Sequence, residues 1–319
     1  MPQPIIPITV GVDTHKATHT AAAVDQLGRL LDHAEFAATP AGYAALFAWA
    51  SRLGRLGQFG VEGTGSYGAG LARHLRASGV TVIEVDRPDR RTRRQQGKSD
   101  PVDALAAARA VLAGTATATP KTHDGAVESI RALRIARGHA VKARAQAANQ
   151  LHHLVVDAPE PLRSQLRTLK LNALVAAVAS WQPTGPLTEP RNGVAAALGI
   201  LARRYQQLST DIAQLDDLLG PLVAAKAPAL MAINGVGIEV AGQLLVTAGD
   251  NPARLRNEAA FARLCGVAPL PASSGKTCRH RLSRSGDRQA NCALYRIVLI
   301  RLRWHAPTRP MSNVEPSRV

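Results

Sequence analysis

Aromatic residues make up only 3% of this chain of 319 residues. A platform that stacks successive bases of a single strand needs many aromatic faces, so that mode of binding is disfavoured. Cysteine is scarce as well. Cys265, Cys278 and Cys292 form no metal-ligand pair and leave one thiol over. This argues against a disulfide framework or a cysteine-held metal, and fits a reducing cytoplasm. No run of about 18 apolar residues exists, and the opening MPQPIIPITV has no charged segment ahead of an apolar one. Neither a membrane span nor a secretory leader is expected. Acidic residues are few: 23 against 39 Lys and Arg, a formal charge of +16. The basic excess runs the whole length of the chain, which points to a polyanionic partner held through its backbone phosphates.

What is present is ordered. Ile8 to Thr14 and Thr18 to Val24 read as strands, and DQLG (Asp25 to Gly28) as a hairpin turn into a third. Thr39 to Gly54 reads as a helix with a threonine cap and a closing glycine. GQFGVEGTG (Gly57 to Gly65) reads as a buried strand ending in a glycine-rich turn, Ser66 to Gly79 as a helix and Val80 to Asp86 as a strand. A basic loop follows, then a helix from Asp100. A three-strand meander followed by alternating helix and strand is the α/β ribonuclease H-like arrangement.

Past residue 120 the strand signals vanish. Leu198, Leu201, Tyr205, Leu208, Ile212, Leu215, Leu219 and Leu222 alternate spacings of three and four. That is an a/d seam, open to two readings: a helical hairpin within the chain or a coiled coil between subunits. Ile130 to Val155 is a weaker partner helix. From Pro228, LMAINGVGIEVAGQLLVTAG reads as a helix-hairpin-helix-like motif. A basic loop from Cys265 to Asn291 and a closing helix from about Ala290 to Trp304 come after it. Three domains are expected: 1–120, α/β; 121–227, a helical coiled-coil linker; and 228–319, mostly α.

The stretch GKSDPVDA carries two aspartates three residues apart. Asp100 before Pro101 has the form of a helix cap, and Asp103 that of a first-turn acid. In a ribonuclease H-like sheet, however, Asp13 lies on the central strand, Glu62 ends the strand beside it, and the helix from Asp100 starts near both ends. Four converging carboxylates repel unless cations sit between them. Oxygen-only ligands suit Mg²⁺ or Mn²⁺, and two such ions can clamp the attacking and leaving oxygens of a phosphodiester. His15 and Lys16 read as loop residues, with phosphate contact as the alternative. The preceding arginine-rich run, with Arg90, Arg91, Arg93, Arg94 and the following Lys98, reads as a contact for nucleic-acid backbone.

Five motifs in order, VGVDTHK, VEGTGSYG, GKSDPVDALAAARA, INGVGIEVAGQLL and CGVAPLPASSGK, resemble the DEDD transposases of bacterial insertion sequences. This is the IS one-ten (IS110) family, which includes the Piv site-specific invertases. The resemblance runs from about Ile8 to Arg303. It implies a RuvC-like N-terminal domain with Asp13, Glu62, Asp100 and Asp103 as metal acids, and a C-terminal domain whose serine nucleophile matches Ser274, with Ser273 as the neighbour to be separated from it. It implies DNA as substrate, assembly as dimers or tetramers, and a structured guide RNA from the element. Lys276, Arg279 and Arg281 flank the serine as phosphate contacts. There are two departures: Asp287 stands where members carry Asn, and RWHAPTRPMSNVEPSRV has turn formers where members continue in a basic helical segment. The second fits a truncated or frame-shifted copy and bears on activity more than on fold. The residues alone also leave open a water-using RuvC-like endonuclease, an actin-fold kinase, and an inactive nucleic-acid-binding copy.

Overall fold

In a computed structural model of the chain, residues 7–85, 99–182 and 184–313 are described. The chain forms two compact units, one of Met1–Gly125 with Ala248–Ala262, the other of Ala126–Thr247 with Arg263–Val319.

In the first unit β1 (Pro7–Thr14), β2 (Thr18–Val24) and β3 (Leu30–Ala37) form the expected antiparallel meander. The β2–β3 turn closes on Asp25, whose carboxylate accepts from the N–H groups of Leu27 and Arg29 at 2.9 Å. Helix α1 (Pro40–Leu53) starts at Thr39, whose hydroxyl accepts from the Gly42 N–H at 3.2 Å, and stops at Gly54. Then come β4 (Arg55–Glu62), α2 (Ala69–Ala77), β5 (Thr81–Val85) and α3 (Asp100–Leu112). The sheet order is β3-β2-β1-β4-β5, with β4 parallel to β1 and to β5. A mixed sheet with β1 at its centre is consistent with the ribonuclease H-like arrangement.

The two faces of this sheet differ. On one, Val10, Val12, Phe59 and Val61 pack with Leu46 and Trp49 of α1 and Leu71 and Leu75 of α2. On the other, strands present Gly11 and Gly60, and α3 rests directly on them. A Cβ added to Gly11 would fall 2.1 Å from the Ala104 carbonyl oxygen and 2.2 Å from the Ala108 nitrogen. One added to Gly60 would fall 2.7 Å from Val111 Cγ2 and 3.0 Å from the Ala107 carbonyl oxygen. Ala104, Ala107 and Ala108 are all fully buried at this contact. Only small residues on both sides allow backbone to approach backbone so closely. The chain also returns to this unit late: Asn251 donates to the Pro120 carbonyl at 3.0 Å and Arg254 to that of Thr119 at 2.9 Å.

In the second unit α4 (Ala126–Val156) packs along α7 (Pro190–Lys226), with α5 (Leu162–Leu166) and α6 (Leu171–Val178) between them in sequence. The Leu198 to Leu222 seam is the covered face of α7: Leu198, Ile212 and Leu219 are buried and the others half-buried. The intramolecular hairpin is therefore the reading of the seam that the chain itself contains. Helix α4 looked weak in sequence because some inward positions are arginines. Arg137 grips Asp216 through two hydrogen bonds of 2.5 and 3.1 Å. Arg144 lies 5.9 Å over the Tyr205 ring, and both arginines hold α4 to α7 beside the apolar contact of Leu151 and Val155 with Leu198 and Ala202.

The glycine turn at 234–237 follows α8 (Pro228–Met231), which is a single turn, and precedes α9 (Ile238–Ala248). After α10 (Glu258–Leu264), the loop expected around Ser274 contains a β-hairpin of β6 (Leu270–Pro271) and β7 (His280–Arg281). Helix α11 (Arg288–Trp304) follows, and a 3-10 helix over Ala306–Asn313 packs against it. The departure at Asp287 has a structural use. Its carboxylate caps α11, accepting from the Gln289 and Ala290 N–H groups at 2.8 and 3.1 Å and from the buried Thr247 hydroxyl at 2.7 Å. No helix among the described residues is long and apolar enough to cross a membrane.

Adjacent leucines of α7 test which face is covered. Leu219 is 1% exposed and Leu218 is 56% exposed. Leu219→Ala should cost about 2–5 kcal/mol in urea denaturation, and Leu218→Ala should stay within about 0.5 kcal/mol of wild type. Equal losses would mean that this seam is not the packed face.

Candidate metal centre

The site is built where β1 and β4 end. Strand side chains alternate faces, so Asp13 shares the face of Gly11 and Glu62 that of Gly60. Each acid thus stands two residues beyond a glycine that admits α3, on the face that α3 covers. Helix α3 contributes Asp100 and Asp103 from its first turns. Asp13 and Glu62 are each 7% exposed and Asp103 is 3% exposed. The ends are tied together: the Thr14 hydroxyl donates to the Glu62 carbonyl at 2.9 Å. Beyond Glu62, the Thr64 hydroxyl donates to Glu84 at 2.6 Å, and Arg254 lies 3.7 Å from the same carboxylate.

The capping expectation for Asp100 is corrected. Ser99 is the cap residue, extended in backbone and making no side-chain cap bond, and Asp100 is already the first helical residue. Pro101 fits the early turn, which has no call on its absent N–H. The Asp100 side chain faces His15 instead. His15 Nε2 lies 3.2 Å from Asp13 Oδ2 and 3.4 Å from Asp100 Oδ1. These three residues offer ligand atoms within 4.8 Å of one another. Glu62 and Asp103 border the same face outside that tight triad. His15 was missed as a site residue by sequence reasoning. The available signal was its position just past the end of β1, two residues after Asp13.

Electrostatics give the site its character. Burial pushes the Asp13 carboxyl above the ordinary carboxylate range; His15 opposes this, and Asp100 and Asp103 add to it. Like charges gathered out of water are costly without a cation among them. An oxygen-rich donor set carrying excess negative charge fits a divalent metal ion.

The second unit holds the two serines in different states. Ser274 and Thr277 exchange backbone hydrogen bonds of 3.1 Å around Gly275 and Lys276. Gly275 sits at φ +54, the left-handed value that the first central position of this tight turn requires. Ser273 is occupied: its hydroxyl accepts from the Arg279 N–H at 3.2 Å. The Ser274 hydroxyl has no hydrogen-bond partner among the described residues and is exposed at the tip. Lys276, Arg279 and Arg281 are exposed on the same hairpin. Arg90, Arg91, Arg93, Arg94 and Lys98 lie outside the described residues.

Residues 10–158 match the family model of the IS110-type DEDD transposases, described as transposase. Residues 227–311 match a second model, described as transposase of the IS116/IS110/IS902 family. No curated protein matches the chain significantly.

The raised Asp13 group has a measurable consequence without metal. A carboxyl whose folded-state value lies above its ordinary 3.8 favours folding when protonated, and this stability is lost as pH rises through the folded value. In chelator, Asp13→Asn should therefore melt higher than wild type at pH 7, and the gap should narrow toward pH 4. A gap that is constant with pH would show that Asp13 carries no such strain.

Proposed function

The chain belongs to the IS110 family of transposases, and from that premise we propose that it cuts and rejoins DNA by metal-assisted transesterification on a serine. The observation that carries the reading is the gathering of Asp13, Asp100 and His15 where the buried Glu62 and Asp103 border one sheet face. Asp13, Glu62, Asp100 and Asp103 would hold Mg²⁺ or Mn²⁺. Bound there, the ion would offset charge that develops on phosphate oxygens.

Ser274 supplies the nucleophile. Its Oγ bonds to phosphorus as a strand P–O bond breaks, the hydroxyl proton is released, and the strand oxygen leaves as a hydroxyl. The phosphoseryl bond conserves the strand's energy for rejoining, which a water attack would lose. Two features support Ser274 over Ser273: a hydroxyl not engaged by the hairpin, and a tip position beside Gly275, where no side chain bars close approach. Lys276, Arg279 and Arg281 offset phosphate charge. Arg90, Arg91, Arg93, Arg94 and Lys98 bind the DNA backbone. The family resemblance adds a structured RNA from the element as guide and a dimer or tetramer as the working form.

Asp13→Ala and Asp103→Ala should each abolish cleavage of labelled DNA and leave DNA binding nearly intact. With Mg²⁺ and any required RNA, denaturing electrophoresis should show a protein–DNA adduct that Ser274→Ala loses and Ser273→Ala retains. An adduct that survives Ser274→Ala overturns the serine assignment. Cleavage with no adduct in any variant favours the water-using endonuclease.

The basic segment makes a separate forecast. Replacing Arg90, Arg91, Arg93 and Arg94 together by Ala should reduce the log–log salt slope of duplex binding by roughly 3 to 4 units. An unchanged slope would show that these arginines are solvated and do not touch phosphate.

A further inference from the structure

The four acids do not exhaust the donors at the site. His15 leaves β1 two residues after Asp13, and its N–H donates to the Thr18 carbonyl at 3.0 Å, closing the turn into β2. That turn fixes the backbone of His15 and keeps its ring on the face that bears Asp13. The ring is about half exposed, at 45%. Its Nε2 atom, by contrast, is shielded from solvent and has no hydrogen-bond partner. Two carboxylate oxygens stand 3.2 and 3.4 Å away, at ion-pair distance yet outside hydrogen-bond geometry. The nitrogen is thus shielded from water and flanked by two carboxylate oxygens.

Such spacing has a simple explanation. Ligands on adjacent corners of an octahedron with bonds of about 2.2 Å lie about 3.1 Å apart, and opposite ones about 4.4 Å. The two separations from His15 Nε2, 3.2 Å to Asp13 and 3.4 Å to Asp100, are close to that of adjacent corners, and the three ligand atoms all lie within 4.8 Å of one another.

We propose that His15 Nε2 is a direct ligand of the metal ion held by Asp13 and Asp100, so that the site binds through one imidazole as well as carboxylates. The inference rests on the metal reading of the acids and extends it to a residue outside the four. A neutral imidazole adds a donor without adding negative charge to a cluster already rich in it. It also changes the preference among metals. Mg²⁺ favours oxygen, whereas Mn²⁺ and Co²⁺ accept nitrogen, so His15 biases the centre toward the transition ions. Lys16, the next residue, is exposed on the turn and leaves His15 as the turn's inward donor.

The test is pulsed electron paramagnetic resonance on the full chain with Mn²⁺ as probe, alongside calorimetric titration with Mn²⁺ and with Mg²⁺. The expected result is nitrogen-14 modulation from a bound imidazole in wild type and none in His15→Ala or His15→Gln. Mn²⁺ affinity should fall about 10-fold or more in those variants, and Mg²⁺ affinity by less. Two spectroscopic outcomes would overturn the proposal while leaving the acids in place: Mn²⁺ binding that Asp13→Asn abolishes but that shows no nitrogen modulation, and modulation that persists in His15→Ala. Equal losses of Mn²⁺ and Mg²⁺ affinity in His15→Ala would overturn the claimed metal preference. If no variant, wild type included, binds Mn²⁺ or Mg²⁺, the metal reading of the acids fails and this proposal falls with it.

Discussion

The first unit depends on how closely α3 lies on its sheet. Gly11 and Gly60 remove the side chains that would hold the helix off, and Ala104, Ala107 and Ala108 present almost no side chain in return. Backbone meets backbone at a distance that excludes a single methyl group. Everything at the site follows from this approach. It carries the start of α3 to the ends of β1 and β4 and buries Asp103 beside strand ends that carry Asp13 and Glu62. A helix held off by one layer of leucines would leave those carboxylates apart and in water. The same contact explains why Asp13 is costly to ionise, since the packing that gathers the acids also buries it.

Basic residues serve two purposes here, and the net charge hides the division. Arg134, Arg137 and Arg144 face inward from α4; Arg137 and Arg144 meet Asp216 and Tyr205, while Arg134 donates to the Glu239 carbonyl at 2.9 Å and to Gln243 at 3.1 Å. They are structural: Arg137 and Arg144 tie α4 to α7, and Arg134 ties α4 to α9. The arginines and lysine of the Ser274 hairpin are exposed and have acidic residues nowhere in their own segment. Asp287, the only acid between Leu270 and Arg303, is consumed in capping α11. Exposed charge with no acidic partner among the described residues is the part available to a phosphate backbone.

Much was legible from the sequence because it depends on local chemistry. Period-two strands, the Asp25 turn, the Thr39 cap and the alternating three-four seam each specify themselves within a few residues, and all appear where expected. The order of the five motifs carried the family. GVD at 11–13 and GVE at 60–62 put a glycine two residues before each acid, which signals a helix lying on that face, and this pairing could have been read as well.

Other features were settled only by tertiary structure, because they depend on what distant segments bring together. Whether the α7 seam is covered by its own chain depends on α4, which ends 34 residues before α7 begins and whose arginines interrupt the hydrophobic pattern of its inward face. Asp100 reads as a cap by sequence and turns out to be the first helical residue, since the cap position belongs to Ser99 and its carboxylate is drawn toward His15. The return of residues 248–262 to the first unit leaves no local mark. Nor does the difference between the two adjacent serines, which share a loop in sequence and are told apart only when the hairpin pairs Ser273 with Arg279 and leaves Ser274 at the turn. Local propensity fixes each element; which side chains are gathered, buried or left free is decided by the packing of elements far apart in the chain.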